Sequence, residues 1–220
     1  MNNVTTVFLD VDDTLLDFHK CAEASMFAVA RELSLPFPEN AMEIFHPINN
    51  GLWEKINSGE LTLDGLYKVR WNKVLSAMGI DYDGEEFEKH FLKTLHETAV
   101  KTEGALELVK YLSGKYTLHV ASNAPERQQR LRLEKAGLLQ YFDKIFTSEN
   151  IGYAKPQPEF YAFCLKGLIP DNCCMIGDSL SADVDGAEKA GMKAIWFNKK
   201  GQNETRNVVV TSLAEIMNIL

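Results

Sequence analysis

The sequence predicts an α/β protein whose core is a Rossmann-like parallel sheet with helices on both faces, plus an inserted all-helical domain. Short apolar segments rich in β-branched residues alternate with helical segments in the second half of the chain, which is typical of such a sheet. Residues from about 18 to 98 instead show helical periodicity throughout, with no convincing strand. A length of 220 residues suits one large domain carrying an insertion.

The first strand is predicted at Val4–Asp10, where the segment VTTVFLD is apolar and β-branched enough to be buried. Four helical stretches follow it, and the second is expected to be interrupted around Pro47 and Gly51. These stretches are Ala22–Leu33, Ala41–Ile56, Thr62–Met78 and Gly84–Thr98.

The remainder of the chain alternates between strands and helices. The predicted strands are Tyr116–Ala121, Lys144–Thr147, Cys173–Ile176, Lys193–Phe197 and Val208–Val210. The predicted helices are Ala105–Leu112, Glu126–Ala136, Pro158–Lys166, Leu180–Ala190 and Ser212–Ile219. We therefore expect a Rossmann-like core domain of residues 1–16 and 100–220, with residues 17–99 forming the helical insertion.

The composition limits the classes of partner. With 23 Lys and Arg against 31 Asp and Glu the formal net charge is −8, which argues against binding to a nucleic-acid polymer. No apolar stretch approaches the ~20 residues that span a bilayer, and the N-terminus lacks the basic start and apolar run of a signal peptide. The four cysteines form no C-x-x-C pair, so we expect buried free thiols in a cytoplasmic protein without a membrane partner.

Polar side chains follow four of the predicted strands. Since ligands of open parallel sheets bind at the carboxyl ends of the strands, we expect these side chains to converge. Crowded carboxylates need a cation, and hard oxygen ligands that share it with a phosphate fit Mg²⁺. In chain order the groups are Asp10-Val11-Asp12-Asp13-Thr14, Ser122-Asn123, Lys155-Pro156 and Gly177-Asp178-Ser179 with Asp183.

The order of these motifs, DxDxT, a serine at a strand end, Lys-Pro and then GDSxxxD, resembles the haloacid dehalogenase superfamily over the whole chain. The helical insertion resembles that superfamily's helical C1 cap. The resemblance implies a Mg²⁺-dependent phosphomonoester hydrolase that forms an aspartyl-phosphate. Its partner would be a small phosphorylated metabolite, and the protein would be a monomer or a homodimer.

The chemistry of the motif residues agrees with the roles that the resemblance implies. Asp10 is the candidate nucleophile, and Asp12 suits a general acid that later serves as a base. Lys155 would offset the charge on Asp10 and on the transferring phosphoryl group. Ser122 and the backbone N–H of Asn123 would hold phosphate oxygens.

The metal would be held by the motif carboxylates. We expect Asp10, Asp178 and the backbone carbonyl of Asp12 to be ligands of Mg²⁺. Asp183 would be either a further ligand or a partner of one. Ser179 is expected to be a helix N-cap rather than a catalytic residue.

The insertion is expected to set substrate specificity, because the core recognises only the phosphate. The spacing of Asn49, Trp53, Gly59 and Arg70 resembles that of the 5′-nucleotidase branch of the superfamily. An aromatic side chain there could stack on a base, which contributes about 1–3 kcal/mol. Phe18, just past the first motif, is a further candidate for the substrate pocket. The alternative for Phe18, Trp53 and Trp71 is packing between helices.

Other functions remain open at this point. Within the superfamily, a sugar phosphomutase and a phosphatase of the phosphoglycolate type use the same core motifs. A phosphonate hydrolase would need a cap lysine such as Lys55 as a Schiff base, and a dehalogenase is disfavoured because those enzymes lack an acid at the position of Asp12. A phospho-acceptor signalling module is an alternative from another class, against which Asp12, the Asp178 and Asp183 pair and the large insertion all argue.

Overall fold

The computed structural model describes residues 1–199, 201 and 208–220, and these divide into two compact units. The first, which we call the core unit, consists of Met1–Phe18 and Ala99–Leu220. The second, the helical unit, consists of His19–Thr98.

The core unit is built on a parallel sheet. In the described part of the chain its strands are β1 (Thr6–Leu9), β2 (Thr117–Ser122), β3 (Lys144–Thr147), β4 (Cys173–Gly177), β5 (Lys193–Phe197) and β6 (Val209–Val210). Their order is β3-β2-β1-β4-β5-β6, and all pairings are parallel. Leu9 pairs with Val120 on one side and with Ile176 on the other. The residues that follow β1, β2 and β4 therefore lie at one edge of the sheet.

The helical unit has an aromatic core. Its helices are α1 (Phe18–Glu32), α2 (Ala41–Asn57), α3 (Leu63–Ala77) and α4 (Gly84–His96). Helix α1 begins at Phe18, one residue before the first residue of the unit. The ring of Trp71 is completely buried and lies 5.3 Å from Phe45, 4.2 Å from Phe87 and 4.9 Å from Phe91, measured between ring centroids. Trp71 is thus a packing residue, the second of the two alternatives for this side chain.

Helix α2 runs without the interruption that we expected around Pro47 and Gly51. Pro47 faces solvent, while Phe45, Asn49 and Leu52 recur at helical spacing and are all buried. Burial of one whole face stabilises the helix, and this offsets the backbone hydrogen bond that a proline removes.

Helices cover both faces of the sheet in the core unit. They are α5 (Ala105–Ser113), α6 (Glu126–Lys135), α7 (Ser148–Ile151), α8 (Pro158–Cys164), α9 (Gly186–Lys189) and α10 (Leu213–Ile216). Alternate residues of β1 enter different apolar clusters. Val7 and Leu9 pack in one and Phe8 in the other, as expected for a strand buried on both sides.

The segment before α9 differs from the single helix predicted at Leu180–Ala190. Residues Leu180–Asp185 form a π-helical turn, in which the amides of Asp183 and Val184 both donate to the Ser179 carbonyl, at 2.9 and 3.3 Å. The Ser179 hydroxyl oxygen caps this turn by accepting a hydrogen bond from the backbone N–H of Ala182 at 3.2 Å. The predicted N-cap is therefore present. Such turns are frequent at functional sites, and this one carries a motif residue.

The cysteines and the helix lengths agree with what the composition predicts. All four cysteines lie in the described part of the chain, where each is buried and none forms a disulfide. Among the helices that the structure describes, none is both long enough and apolar enough to cross a bilayer.

Candidate active site

The carboxyl ends of the central strands bring motif residues together around a buried lysine. Asp10 follows β1 directly, and its backbone N–H donates to the Ile176 carbonyl of β4 at 2.9 Å. The Lys155 ammonium donates to Oδ1 of Asp10 at 2.7 Å and to Oδ1 of Asp183 at 2.6 Å. Its third contact is the Ala121 carbonyl of β2 at 2.7 Å, so all three ammonium protons are used.

Lys155 remains a cation although it is buried. Burial alone would lower the pKa of its ammonium group, but the carboxylates of Asp10 and Asp183 raise that pKa above its ordinary value. The side chain therefore places a fixed positive charge beside Asp10, as the motif predicts.

Three carboxylates lie close enough together to hold a cation. Asp10, Asp178 and Asp183 each offer one oxygen, and these oxygens lie within 4.8 Å of one another. Burial, only partly offset by Lys155, raises the pKa of Asp10 to about 7. Burial and the neighbouring Asp10 and Asp183 raise the pKa of Asp178 well above its usual range. An all-oxygen set whose negative charge is poorly compensated fits a hard divalent cation such as Mg²⁺.

Asp178 is oriented through its backbone. Its N–H donates to Oγ1 of Thr14, the buried last residue of the first motif, at 3.1 Å. Its carbonyl accepts from Nε1 of Trp196 on β5 at 2.9 Å. These contacts with β5 and with the loop after β1 fix the loop from which the carboxylate projects.

Asp183 is buried at the first turn of the π-helical segment, and both of its oxygens have protein partners. Oδ1 accepts from Lys155, and Oδ2 accepts the backbone N–H of Ser179 at 3.0 Å. The carboxylate rests against Gly177, where an added Cβ would come within 2.1 Å of Oδ2. Glycine at the end of β4 therefore permits this approach, and the contacts support the reading of Asp183 as a partner of a ligand.

The Asp12 carboxylate is held by two side chains of α6. Its Oδ2 accepts from Nε2 of Gln129 at 2.6 Å, and its Oδ1 forms an ion pair with Nη1 of Arg132. Sequence reasoning missed both partners. The available signal was a glutamine and an arginine three residues apart, hence on one face, in the helix that follows Ser122.

Ser122 and Asn123, at the end of β2, have different contacts. The Ser122 hydroxyl oxygen accepts from the Ala124 N–H at 3.1 Å and from Gln129 at 2.9 Å, which leaves its own proton as the donor for a ligand. The side chain of Asn123 accepts from the backbone N–H of Lys155 at 2.8 Å and donates to its carbonyl at 2.9 Å. Asn123 thus fixes the loop that carries Lys155.

Phe18 ends the first segment of the core unit. Its backbone N–H donates to Oδ1 of Asp13 at 3.0 Å, and Asp13 has a left-handed φ of 60°, so Asp13 is a turn residue. The Phe18 side chain is half-buried.

The candidate specificity residues of the helical unit have mainly internal contacts. Arg70 donates to Glu88 through Nε at 3.0 Å and through Nη2, and to Oδ1 of Asn49 through Nη1 at 3.1 Å. All three side chains are buried, and burial raises the pKa of Glu88 although Arg70 opposes this. Asn49 and Arg70 thus pair with each other and with Glu88 inside the helical unit, and their role in substrate specificity stays a prediction. Trp53 remains half-buried.

Comparisons with known proteins identify the family of the chain. The chain matches the family model of haloacid dehalogenase-like hydrolases over residues 4–191. It is 28% identical to the HAD-hydrolase YfnB of Bacillus subtilis, covering 100% of this chain and 97% of that protein. It is 29% identical to the pyrimidine 5′-nucleotidase PynA of Streptococcus pneumoniae, over 87% of this chain and 83% of that protein.

Solved structures give the same fold. The crystal structure of YfnB, described as bound to magnesium, superposes with a TM-score of 0.94 at 28% identity and covers 100% of this chain and 99% of that one. A dehalogenase structure superposes with a TM-score of 0.79 at 17% identity, covering 100% of this chain and 98% of that one, which shows a shared fold alone. With the family match spanning most of its length, the chain belongs to the haloacid dehalogenase-like hydrolases.

Proposed function

We propose that this hydrolase cleaves small phosphomonoesters with the help of Mg²⁺, through a phosphoryl group carried on Asp10. The observation that carries the proposal is the contact of Asp10 with the buried Lys155 ammonium at the carboxyl ends of the sheet. One carboxylate oxygen is thereby fixed, and the other is available to attack. A cation also lies where a phosphoryl group would bring further negative charge.

The donor set fits a metal ion. Asp10, Asp178 and the backbone carbonyl of Asp12 would hold Mg²⁺, and Asp183 would support the arrangement through Lys155 and Ser179. When bound, the ion would neutralise negative charge on the phosphate oxygens.

The chain's own residues account for both halves of the reaction. An oxygen of Asp10 attacks phosphorus, the bond between phosphorus and the leaving oxygen breaks, and that oxygen takes a proton from Asp12. In the second half, Asp12 accepts a proton from the water that attacks the aspartyl-phosphate, which releases phosphate and restores Asp10. The Ser122 hydroxyl donates to a phosphate oxygen throughout.

Nucleoside 5′-monophosphates are the substrates that we favour. The support is the similarity to pyrimidine 5′-nucleotidases over most of the chain. Trp53, half-buried in the helical unit, is the candidate for stacking on a base.

A phosphate-release screen tests the proposal. The panel holds pyrimidine and purine 5′-monophosphates, hexose phosphates, phosphoglycolate and a 2-haloacid, each with Mg²⁺ and with EDTA. We expect Mg²⁺-dependent phosphate release that is highest for the nucleotides. Halide release without phosphate release would overturn the phosphatase, whereas a preference for hexose phosphates or phosphoglycolate would overturn only the substrate class.

A further inference from the structure

Helix α6 supplies a buried anchor for Asp12. Gln129 and Arg132 are both fully buried, whereas the Asp12 side chain keeps 26% of its surface exposed. The partly exposed Asp12 carboxylate is therefore held by two side chains that can move little, because both are enclosed by the core unit.

The orientation of the Gln129 amide follows from its neighbours. The Arg132 guanidinium only donates hydrogen bonds, so the amide oxygen of Gln129 must face it and the amide nitrogen faces Oδ2 of Asp12. The second proton of that nitrogen then reaches the Ser122 hydroxyl at 2.9 Å, and the amide oxygen faces Nη1 of Arg132 at 3.4 Å. One amide thus links the candidate acid to the candidate phosphate-binding hydroxyl.

We propose that Gln129 and Arg132 are positioning residues, which hold the Asp12 carboxylate where it exchanges a proton with the leaving group. The inference rests on the proposed function. A carboxylate offers about four lone-pair positions, and the two contacts with α6 occupy one on each oxygen. The remaining positions stay available to a substrate on the exposed side.

This role predicts a dependence on the leaving group. A p-nitrophenolate leaves without protonation, whereas the alkoxide of a nucleoside 5′-monophosphate needs the acid. The parameter to compare is kcat/KM, because it reports the steps up to phosphoryl transfer and omits hydrolysis of the intermediate that both substrates share.

The test substitutes Gln129 by leucine and measures kcat/KM for both substrates. We expect the value for the nucleotide to fall by at least about tenfold more than the value for p-nitrophenyl phosphate. Asp12→Asn should show the same selective loss, and adding Gln129→Leu to it should cause little further loss. Three results would each overturn the proposal: equal losses of kcat/KM for the two substrates, no loss, or an increase in kcat/KM when the contact between Gln129 and Asp12 is removed.

Two further variants separate this role from general damage. Gln128→Leu changes a buried glutamine of the same helix, which forms no contact with Asp12 in the part of the chain that the structure describes, and should leave the ratio unchanged. Arg132→Met should repeat the selective loss, with partial rescue by Arg132→Lys, which restores the charge without the planar fork.

A structural readout keeps the inference separate from the proposed function. If the wild-type protein releases phosphate from no ester, the proposed function fails, but the positioning of Asp12 can still be read from crystal structures. We expect the Asp12 side chain of Gln129→Leu to leave its wild-type rotamer or to occupy several. An unchanged Asp12 rotamer would overturn the positioning role.

Discussion

The Nζ atom of Lys155 lies 2.7 Å from Oδ1 of Asp10 and 2.6 Å from Oδ1 of Asp183, so one buried cation separates two carboxylates. Lys155 comes from the loop after α7, Asp10 from the end of β1, and Asp183 from the π-helical turn that follows β4. This contact fixes the candidate nucleophile relative to the rest of the site.

Lys155→Met should damage both catalysis and stability. Loss of a charge that faces the phosphoryl group should lower kcat by about 10²–10³-fold. Leaving buried carboxylates without their partner should lower the free energy of unfolding by about 3–5 kcal/mol in the absence of metal. Phosphate release in the presence of Mg²⁺ measures the first effect, and urea unfolding in EDTA measures the second.

The matched control is Lys193→Met, which breaks the contact with the exposed carboxylate of Asp171. That pair lies at the surface, so the change in unfolding free energy should stay below about 1 kcal/mol. Similar effects of the two substitutions would contradict the special role of Lys155.

Gly177→Ala should weaken metal binding without a change in charge. The new methyl group would lie 2.1 Å from Oδ2 of Asp183, so that carboxylate must move and its contact with Lys155 must change. We expect a higher Mg²⁺ concentration for half-maximal activity, measured by titration. In Gly114→Ala the nearest atom is 3.6 Å from the added Cβ, and that variant should behave as wild type. Equal Mg²⁺ requirements in the two variants would count against this arrangement.

The metal-free protein should lose stability as the pH rises. The folded-state pKa of Asp10 is raised from 3.8 to about 7, so between these values the folded protein binds more protons than the unfolded one. The free energy of unfolding therefore falls across that window. Melting temperatures in EDTA from pH 4 to pH 7 check this, and Mg²⁺ or Asp10→Asn should flatten the fall. A slope that is the same in wild type and Asp10→Asn would refute the assignment.

Glu88→Ala should destabilise the helical unit, because it leaves the buried Arg70 without its carboxylate. Breaking a buried pair from one side costs about 3–5 kcal/mol, which urea unfolding can measure. Glu86→Ala, in the same helix but with its ion pair to Lys89 at the surface, should have no measurable effect.

The double variant Arg70→Met with Glu88→Leu tests the packing role directly. Replacing both charges by apolar groups should recover most of the stability that Glu88→Ala loses. The order of preference among phosphate esters should not change. A changed substrate preference would instead support Arg70 as a specificity residue.

The sequence predicted the parts of the site that follow strands. Each of these residues ends a buried strand or follows it directly: Asp10 follows β1, Ser122 ends β2 and Asp178 follows β4. Parallel strands bring their carboxyl ends to one edge of the sheet, so these side chains meet there. The sequence also predicted the parallel sheet and the helical insertion, because apolar residues are spaced differently in strands and in helices.

The parts that escaped prediction depend on which face a helix buries. Gln129 and Arg132 lie in the middle of a polar helix, and nothing local in the sequence shows that this face meets Asp12. Arg70 and Glu88 are 18 residues apart on different helices, so only packing reveals their pairing. The π-helical turn at Asp183 was predicted as α-helix because the two differ by one hydrogen-bond register.

The most direct measurement is the location of the transferred phosphoryl group. Protein mixed with Mg²⁺ and p-nitrophenyl phosphate is quenched in acid, and its peptides are analysed by mass spectrometry. The account predicts an acyl phosphate on the peptide that contains Asp10, which is absent from Asp10→Asn together with all turnover. Phosphate on another side chain, or undiminished turnover by Asp10→Asn, would contradict it.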